Sequence, residues 1–503
     1  MSTTQSPPPT EGAEQLSRRA WGTLVVLCGA LFLDALDVSM MGVSLPSIRA
    51  DLGLSTGSLQ WVVSGYVLGY GGFLLLGGRA ADLLGRRRMF LFWLGVFAVA
   101  SGLGGLATSG ELLVAARFVT GVSAAFTAPA GLSIITTSFA EGPARNRALS
   151  IYTATGATGF SLGLVVGGVL TEADWRYVFF VPVVLALLTL FAAIRLVPDT
   201  GRPAHSSQGF DVVGAVSLTA AMLLLVFTVV EAPDAGWGSA RTIGSLAGTA
   251  AIFVFFVAIE RRAAAPLVRL SILRTGSLTR ANIGAMTLTG SWYGFQFIAV
   301  LYLQQLRGWS SLEAGLGVLP GGLAVALLAP RIAAPLVERF GTARVIASGL
   351  ASAAVGYALF LPIGLDSSYV PAMLPTFVLA GVGFALAYGP LTMAATNGVV
   401  PEEQGLASGL VNTSFQFGGA LVLAIVTAVN DAATGPDSSP QSLLDGFHAA
   451  LVVPLIAAVL GVAVTVSGLR ASRRVSPADA MEDCDVQPVV EEGSEAWISA
   501  CSG

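Results

Sequence analysis

Residues 78–88 read GRAADLLGRRR, and they separate two long apolar runs near 59–77 and 89–108. Glycine allows two helix ends to turn sharply, and so dense a cluster of charges is too costly to lie in hydrocarbon. The stretch therefore predicts a tight turn between two membrane helices, at the membrane surface. A simpler interpretation is a group of arginines that only sets topology by the positive-inside rule. The residues of this turn that we single out, for the sharp bend or for the charge, are Gly78, Asp82, Gly85, Arg86, Arg87 and Arg88.

The composition indicates a membrane protein along the whole chain. Of 503 residues, 54% are hydrophobic and only 11% are charged, with a mean hydropathy of +0.76. Soluble proteins carry about a quarter charged residues. Apolar stretches of about twenty residues, rather than short alternating strands, predict an all-α polytopic fold. The three cysteines and two histidines match no metal-site spacing and no phosphate-binding loop is present, so we expect no metal, no cofactor and no enzyme activity.

We expect fourteen transmembrane helices joined by short polar links. Most arginines fall on the side of the membrane that holds the N-terminus, whereas Arg49, Arg176, Arg241 and Arg307 fall on the other side. Because positive charge favours the cytosol, both termini are predicted to be cytosolic, in the cytoplasmic membrane of a bacterium. The spans lie near 21–45, 59–78, 89–108, 112–138, 148–171, 177–197, 211–231, 242–260, 281–305, 313–334, 344–363, 370–395, 406–429 and 446–468.

A second basic turn resembles the first. Residues 335–344, PLVERFGTAR, again place an acid three residues before a glycine, with an arginine after it. Two six-helix halves flanking two inserted helices would place both turns at equivalent positions; the alternative is a basic loop that is similar by chance. Glu338, Gly341 and Arg344, together with the first turn, are predicted to latch one conformational state. The predicted domains are a disordered tail (1–20), an N-terminal bundle (21–200), two inserted helices (201–265), a C-terminal bundle (266–469) and a disordered acidic tail (470–503).

Three ionisable side chains are predicted to lie within the membrane: Asp34 and Asp37 in span one, and Arg117 in span four. Buried ionisable groups are costly, so they mark functional sites. The two aspartates share nearly one helix face, where burial and like charge favour proton binding by one of them. Asp37 lies about 12 Å and Arg117 about 9 Å from the outer ends of their helices, which is close enough in depth for the two to communicate. A proton on Asp37 would remove its negative charge and could thereby release Arg117. The alternative is a carboxylate that faces a wet cavity or is permanently paired.

Several ordered motifs resemble the major facilitator superfamily of transporters. Residues 78–88 resemble the loop motif that follows its second helix. Residues 36–46, LDVSMMGVSLP, are similar to the first-helix motif of its fourteen-helix drug–proton antiporter branch, and residues 117–125, RFVTGVSAA, resemble the fourth-helix motif. The resemblance implies the major facilitator fold, two six-helix bundles plus two inserted helices, and transport driven by a proton gradient.

The resemblance also assigns roles to single residues. Asp37 matches the aspartate of the first-helix motif, and Arg117 matches an arginine that the family uses in proton coupling. Asp34 is additional to the family pattern. The loop motif departs at Ala80 and Leu83, where the family has leucine and arginine.

A stripe of glycines in span five predicts close contact with another helix. Gly159, Gly163 and Gly167 recur every fourth residue, and Gly168 follows them. The stripe resembles an antiporter motif that ends G-P-x-x-G-G, but Leu164 occupies the position of the proline. This departure leaves the direction of transport open.

Polar and aromatic side chains within the spans are candidates for lining a substrate cavity near the midplane, although each could instead pack helices together. A mostly apolar cavity favours large lipophilic or amphiphilic compounds. The candidates are Trp61, Tyr66, Tyr70, Trp292, Tyr293, Gln296, Gln304, Asn412 and Gln416.

The sequence therefore predicts a monomeric transporter that exports drug-like compounds or secondary metabolites in exchange for protons, by alternating access and without a nucleic-acid partner. The nearest alternative is a proton-linked importer of a small nutrient on the same fold, which accumulation of substrate in cells would identify. A different class is a membrane scaffold or receptor, whose activity would survive neutral substitution of Asp37 and Arg117.

Overall fold

The computed structural model describes residues 18–139, 143–198, 211–263, 276–397, 399, 404–434 and 439–474. The predicted tails therefore lie mostly outside the described residues, and only 18–20 and 470–474 are seen, in the first and last helices. The described residues form fourteen α-helices: α1 Arg18–Leu52, α2 Thr56–Leu84, α3 Arg86–Gly105, α4 Gly110–Ser138, α5 Pro143–Ala173, α6 Tyr177–Leu196, α7 Val212–Ala235, α8 Ala240–Glu260, α9 Gly276–Leu301, α10 Ser311–Phe340, α11 Thr342–Phe360, α12 Leu374–Thr396, α13 Gln404–Ala433 and α14 Pro440–Arg474.

Most of these helices have the length and apolarity of membrane spans. Within the described part of the chain, ten helices are long and apolar enough to cross a bilayer, and shorter apolar stretches lie at 158–173 in α5 and 213–229 in α7. Helix α9 carries threonine, serine and glutamine among its apolar residues. The chain is thus an all-helical, multi-pass membrane protein.

The helices pack as two similar groups. In the first six helices, α1 packs on α5 and α6, α2 on α4, and α3 on α4 and α6. The same pairs recur in the last six, where α9 packs on α13 and α14, α10 on α12, and α11 on α12 and α14. We call the two groups the N-half and the C-half. The end of the bundle at which α1 begins is the N face, and the opposite end is the C face.

A single glycine joins two helices at equivalent positions of the two halves. Gly85 alone separates α2 from α3, with φ 100° and ψ 122°, and Gly341 alone separates α10 from α11, with φ 83° and ψ 149°. Residues with a β-carbon rarely adopt such backbone angles, so only glycine turns the chain here without strain. Both predicted basic turns therefore contain the same joint on the N face.

We expect Gly85→Ala and Gly341→Ala each to destabilise the protein by about 1–3 kcal/mol, the usual range for strained backbone at a residue with a β-carbon. Gly244→Ala is the matched control, because Gly244 lies in α8 with nothing within 4 Å of an added β-carbon. Thermal unfolding in detergent should separate the two joint variants from the control. Equal midpoints for all three variants would contradict the assignment of strain.

The inserted helices lie beside the seam between the halves. Helix α7 packs on α8 and also on α2 and α13, one helix from each half. The Thr219 hydroxyl of α7 donates a hydrogen bond to the Gly72 carbonyl of α2, and Phe227 of α7 packs against Trp61 of α2 with ring centroids 6.0 Å apart. The pair therefore covers one flank of the seam.

Helix α1 is longer than the sequence predicted. It continues past residue 45 to Leu52 with Pro46 inside it, so Asp37 lies about 22 Å, rather than 12 Å, from its end. Contacts at the C face hold the added turns. The Asp51 carboxylate accepts a hydrogen bond from Trp175 Nε1 at 3.0 Å and pairs with Arg176 Nη1 at 3.0 Å. Asp37 is consequently nearer the middle of the bundle.

Candidate transport site

The centre of the N-half holds a sealed ion pair between α1 and α4. Arg117 Nη1 lies 2.5 Å from Asp37 Oδ2, and the two side chains are 2% and 0% exposed. Arg117 Nε also donates to the Val62 carbonyl of α2 at 3.3 Å. Among the described residues, Asp37 Oδ1 has no hydrogen-bond partner. The pair thus leaves one carboxylate oxygen available for a proton.

Tyr66 of α2 connects this pair to the second aspartate. Its hydroxyl donates a hydrogen bond to Asp34 Oδ1, while the Arg117 guanidinium carbon lies 4.6 Å from its ring centroid. A cation over an aromatic face is attracted to it, so Arg117 contacts both Asp37 and Tyr66. Asp34 is partly exposed, unlike Asp37. The two aspartates therefore share one network but differ in access.

Glycines allow the helices of this network to approach closely. A β-carbon at Gly121 of α4 would overlap the Tyr66 carbonyl oxygen, so only glycine lets α4 pack on α2 here. The predicted stripe in α5 packs on α1: a β-carbon at Gly159 would lie 2.6 Å from the Phe32 carbonyl oxygen, and at Gly167 2.7 Å from Met40 Cα. Gly163 likewise meets α1, at Leu36 and Ser39. Close packing therefore fixes α4 against α2 and α5 against α1.

A cavity with an empty volume of about 540 Å³ lies where the two halves meet. Arg117, Ser39 and Tyr66 reach it from the N-half, and Tyr293 and Gln296 reach it from the C-half. Its other lining residues are Val38, Met41, Gly42, Leu45, Val63, Val67, Phe160, Phe297 and Leu423. The wall is mostly apolar with a few polar groups, as small-molecule sites generally are.

Of the nine predicted cavity residues, Tyr66, Tyr293 and Gln296 line this cavity. Tyr70 packs edge-on against Tyr66, with ring centroids 6.0 Å apart. The other five pack elsewhere: Trp61 on Phe227, Trp292 between Phe160 and Phe384, Gln304 on the Val43 carbonyl, Asn412 on the Ser408 carbonyl of its own helix, and Gln416 beside Gly71.

The halves touch closely in the C-face portions of α5 and α10. A β-carbon at Gly168 would lie 2.7 Å from Leu312 Cα, and one at Gly315 would overlap the Leu164 carbonyl oxygen. Gln304, in a π-helical segment after α9, donates to the Val43 carbonyl of α1 at 2.9 Å. Towards the N face, residues 323–340 of α10 are half-buried or exposed. The two halves are therefore in closed contact at the C face.

The predicted latch residues form contacts within their own half. Arg87 donates to the Ile194 carbonyl of α6 at 2.7 Å, and Arg344 donates to the Phe340 carbonyl at 3.3 Å. Glu338 and Arg88 are exposed. Gly78 lies beside Pro129, because a β-carbon added at Gly78 would be 3.8 Å from the Cβ of Pro129. The side chain of Asp82 lies outside the described part of the chain. A latch between the halves stays a prediction.

Sequence reasoning missed two tyrosines within the spans and an exposed arginine in α10. Tyr152 of α5 lines a second cavity, about 390 Å³ in empty volume, that also contains Asp34. Tyr388 of α12 is 40% exposed and stacks on Phe384 and Phe415, with ring centroids 5.2 and 4.5 Å apart. Arg331 is exposed within α10, ten residues before the Gly341 turn, although the sequence placed it among the cytosolic arginines. A search for every tyrosine inside a predicted span would have found the first two.

The chain matches known transporters over most of its length. Residues 27–423 match the family model described as Major Facilitator Superfamily. The cephamycin export protein of Amycolatopsis lactamdurans is 39% identical over 469 residues, covering 93% of this chain and 96% of that protein. The puromycin resistance protein of Streptomyces alboniger is 36% identical over 441 residues, covering 85% and 86%. A crystal structure of the POT family transporter PepTSo aligns with a TM-score of 0.66 at 15% identity, over 90% of this chain and 99% of that one.

Two halves of repeated helix packing, apolar helices and a cavity at their meeting point are typical of polytopic membrane transport proteins. The chain belongs to the major facilitator superfamily. The prediction of this superfamily from residues 36–46, 78–88 and 117–125 is confirmed, and so is the prediction that the protein is not an enzyme. The roles of individual site residues stay predictions.

Proposed function

We propose that this protein exports drug-like compounds or secondary metabolites across the bacterial plasma membrane in exchange for protons. It does so as a monomer with fourteen spans and cytosolic termini, and it needs no cofactor because the proton gradient drives it. The two relatives described above are named for cephamycin export and puromycin resistance, which supports export over nutrient import.

The proposal of proton coupling rests on one observation. The ion pair of Asp37 and Arg117 is buried away from solvent, while Asp37 Oδ1 has no hydrogen-bond partner among the described residues. A buried carboxylate can exist neutral or charged, and only the charged form holds the arginine. Proton binding to Asp37 therefore weakens its hold on Arg117, which also contacts α2 through Val62 and Tyr66. Proton occupancy is thereby linked to the packing of three helices.

Alternating access follows from the contact between the halves. With the C face closed between α5 and α10, substrate enters from the N face, which the arginine distribution assigns to the cytosol. Rocking of the halves about the central cavity would open the C face and release substrate outside. A proton that arrives from outside then binds to Asp37, which completes the cycle.

The test uses the purified protein in proteoliposomes, with puromycin as the added compound and the membrane potential clamped by potassium and valinomycin. An exporter that exchanges protons should accumulate puromycin in vesicles with an acidic lumen, and the lumen should become more alkaline as it does so. Accumulation only with an alkaline lumen would indicate a symporter instead. Movement that ignores the pH gradient would leave a facilitator and overturn proton coupling.

A further inference from the structure

Two polar side chains of α2 are buried without a complete set of hydrogen bonds. Gln60 is 1% exposed and Ser64 is 0% exposed. Among the described residues, neither Gln60 Nε2 nor Ser64 Oγ has a hydrogen-bond partner. A buried polar group without a partner costs free energy, because it has given up its hydrogen bonds to water. The ion pair of Asp37 and Arg117 gives these two groups no role.

Both side chains lie on the face of α2 that meets the C-half. Gln60, Ser64 and Gly71 follow one another at intervals of four and seven residues, which places them on one side of a helix with 3.6 residues per turn. Gly71 marks the contact, because a β-carbon added there would lie 2.9 Å from Gln416 Cβ of α13. Val67, about one turn from Ser64, lines the central cavity. Gln60 and Ser64 therefore lie in the α2–α13 seam, between the cavity and the C face.

The facing stretch of α13 presents mainly apolar atoms at this depth. Helices α2 and α13 run in opposite directions, so a step towards the C face lowers the residue number on α2 and raises it on α13 by the same amount. Because Gly71 lies opposite residue 416, this register places Ser64 opposite Leu423 and Gln60 opposite Thr427. Both facing residues are buried, and the Thr427 hydroxyl donates to the Leu423 carbonyl at 2.9 Å. The seam here is closely packed and poor in hydrogen-bonding groups.

We propose that Gln60 and Ser64 are positioning residues that set how often the C face opens. While the C face is closed, their polar atoms are held against α13 without partners. When the halves part at this end, water reaches the seam and completes their hydrogen bonds. The two groups therefore raise the free energy of the closed state relative to the open one. The proposal rests on the proposed function in taking opening of the C face as the release step.

Other contacts at the C face favour the closed state. Gly168 and Gly315 allow α5 and α10 to pack on each other's backbone, and Gln304 donates to the Val43 carbonyl at 2.9 Å. A transporter must leave this state in every cycle, and an equilibrium that lies too far towards one state lowers the population of the other. Two costly groups in the same interface offset part of the stability that these contacts give to the closed state.

Thiol labelling from outside intact cells measures how often the C face opens. Cysteine in place of Gly42 reports from the central cavity, where an added β-carbon meets nothing within 4 Å, in a background whose own cysteines are replaced with serine. Gln60→Met keeps the length of the side chain and removes its polar atoms, and Ser64→Ala removes the hydroxyl. Each should slow labelling by a membrane-impermeant reagent about tenfold, without lowering the midpoint of thermal unfolding.

Thr376→Val is the matched control. Thr376 is 0% exposed and its hydroxyl has no partner among the described residues, but it belongs to α12 and its carbonyl lies beside Gly356 of α11, within the C-half. Its surroundings should not change when the halves part, so this variant should leave the labelling rate unaltered. Unchanged labelling in Gln60→Met and Ser64→Ala, as expected if buried water serves both groups, would overturn the proposal. Equal slowing in Thr376→Val would overturn it too.

Cysteine at the seam itself tests the place of opening. Ser64→Cys should be labelled from outside, because the seam opens at that depth, whereas Thr376→Cys should not be labelled. Labelling of Gly42→Cys without labelling of Ser64→Cys would show that the C face opens elsewhere, which contradicts the proposal. If the variants shift the labelling rate as expected but the wild type moves no compound with protons, the proposed function fails and the role of Gln60 and Ser64 stands.

Discussion

Asp37→Asn should abolish substrate-evoked proton flux and should destabilise the protein. Asparagine keeps the size of the side chain but cannot neutralise Arg117, which is 98% buried and would be left with the Val62 carbonyl and the Tyr66 ring. Removing one member of a buried ion pair costs about 3–5 kcal/mol, mostly because the remaining charge stays buried and unpaired. The loss of flux has a separate cause, since an amide, unlike a carboxyl group, does not alternate between a protonated and an ionised form near neutral pH.

A double variant separates the two effects. In Asp37→Asn with Arg117→Gln neither member of the ion pair is left as a buried charge without its partner, so the midpoint of thermal unfolding should recover most of the loss, and a double-mutant cycle should give a coupling free energy of roughly 0.5–3 kcal/mol. Proton flux should stay at background in the double variant. Glu313→Gln serves as the control for a carboxylate outside the site, because Glu313 is exposed in the capping box of α10, where glutamine is also suitable. Flux that persists in Asp37→Asn would place the coupling group at Asp34 or elsewhere.

Gly315→Ile should hold the C face open and stop transport. A β-carbon at Gly315 overlaps the Leu164 carbonyl oxygen of α5, and a backbone atom cannot move aside as a flexible side chain can. The contact between α5 and α10 therefore cannot close around isoleucine, and the halves should remain in the state whose C face is apart. Gly244→Ile is the control, because an added β-carbon there meets nothing within 4 Å.

The measurement is thiol labelling from outside intact cells. Cysteine in place of Gly42, which lines the central cavity and has free space for a side chain, serves as the reporter. The background replaces Cys28, Cys484 and Cys501 with serine. Gly315→Ile should raise the labelling rate of the reporter at least tenfold with a membrane-impermeant reagent, and Gly244→Ile should leave it unchanged. An unchanged rate in Gly315→Ile would show that the C face closes by other contacts.

The all-helical membrane fold and the superfamily were predictable because they depend on features that lie along the chain. Apolar runs of bilayer length require helices, since backbone groups must be satisfied within lipid. Helix rise along the predicted spans placed Asp37 and Arg117 at similar depths, so their proximity was expected before their contact was seen, although α1 extends beyond its predicted end. The glycine stripe of α5 predicted a close helix, although only the structure identifies that helix as α1.

The residues that line the central cavity were less predictable because membrane helices can be apolar on every face. A sequence pattern in such a helix does not say which side looks towards the centre, and the answer depends on its rotation against neighbours. Trp61 and Asn412 illustrate this. Trp61 turns towards the inserted helix α7, and Asn412 bonds within α13, although both are polar or aromatic residues inside spans.

The end of α1 shows a second limit. The first span was predicted to end near residue 45, and Pro46, which lacks the backbone N–H that a helical hydrogen bond needs, follows directly. The helix instead runs to Leu52, where Asp51 is held at the C face by Trp175 and Arg176 from the link between α5 and α6. A contact between residues more than a hundred positions apart outweighs a local preference.

Because α7 lies on one side of the seam, the two flanks of the seam differ in their exposure to the surrounding lipid. Helix α7 bridges α2 and α13 along one flank of the seam, while the α5–α10 flank has no comparable cover among the described residues. A lipophilic compound dissolved in the inner leaflet would thus meet α7 at the α2–α13 flank and the helices of the two halves themselves at the α5–α10 flank. We therefore expect sideways entry of such a compound into the cleft to occur at the α5–α10 flank, and we expect the width of this flank to change as the halves rock.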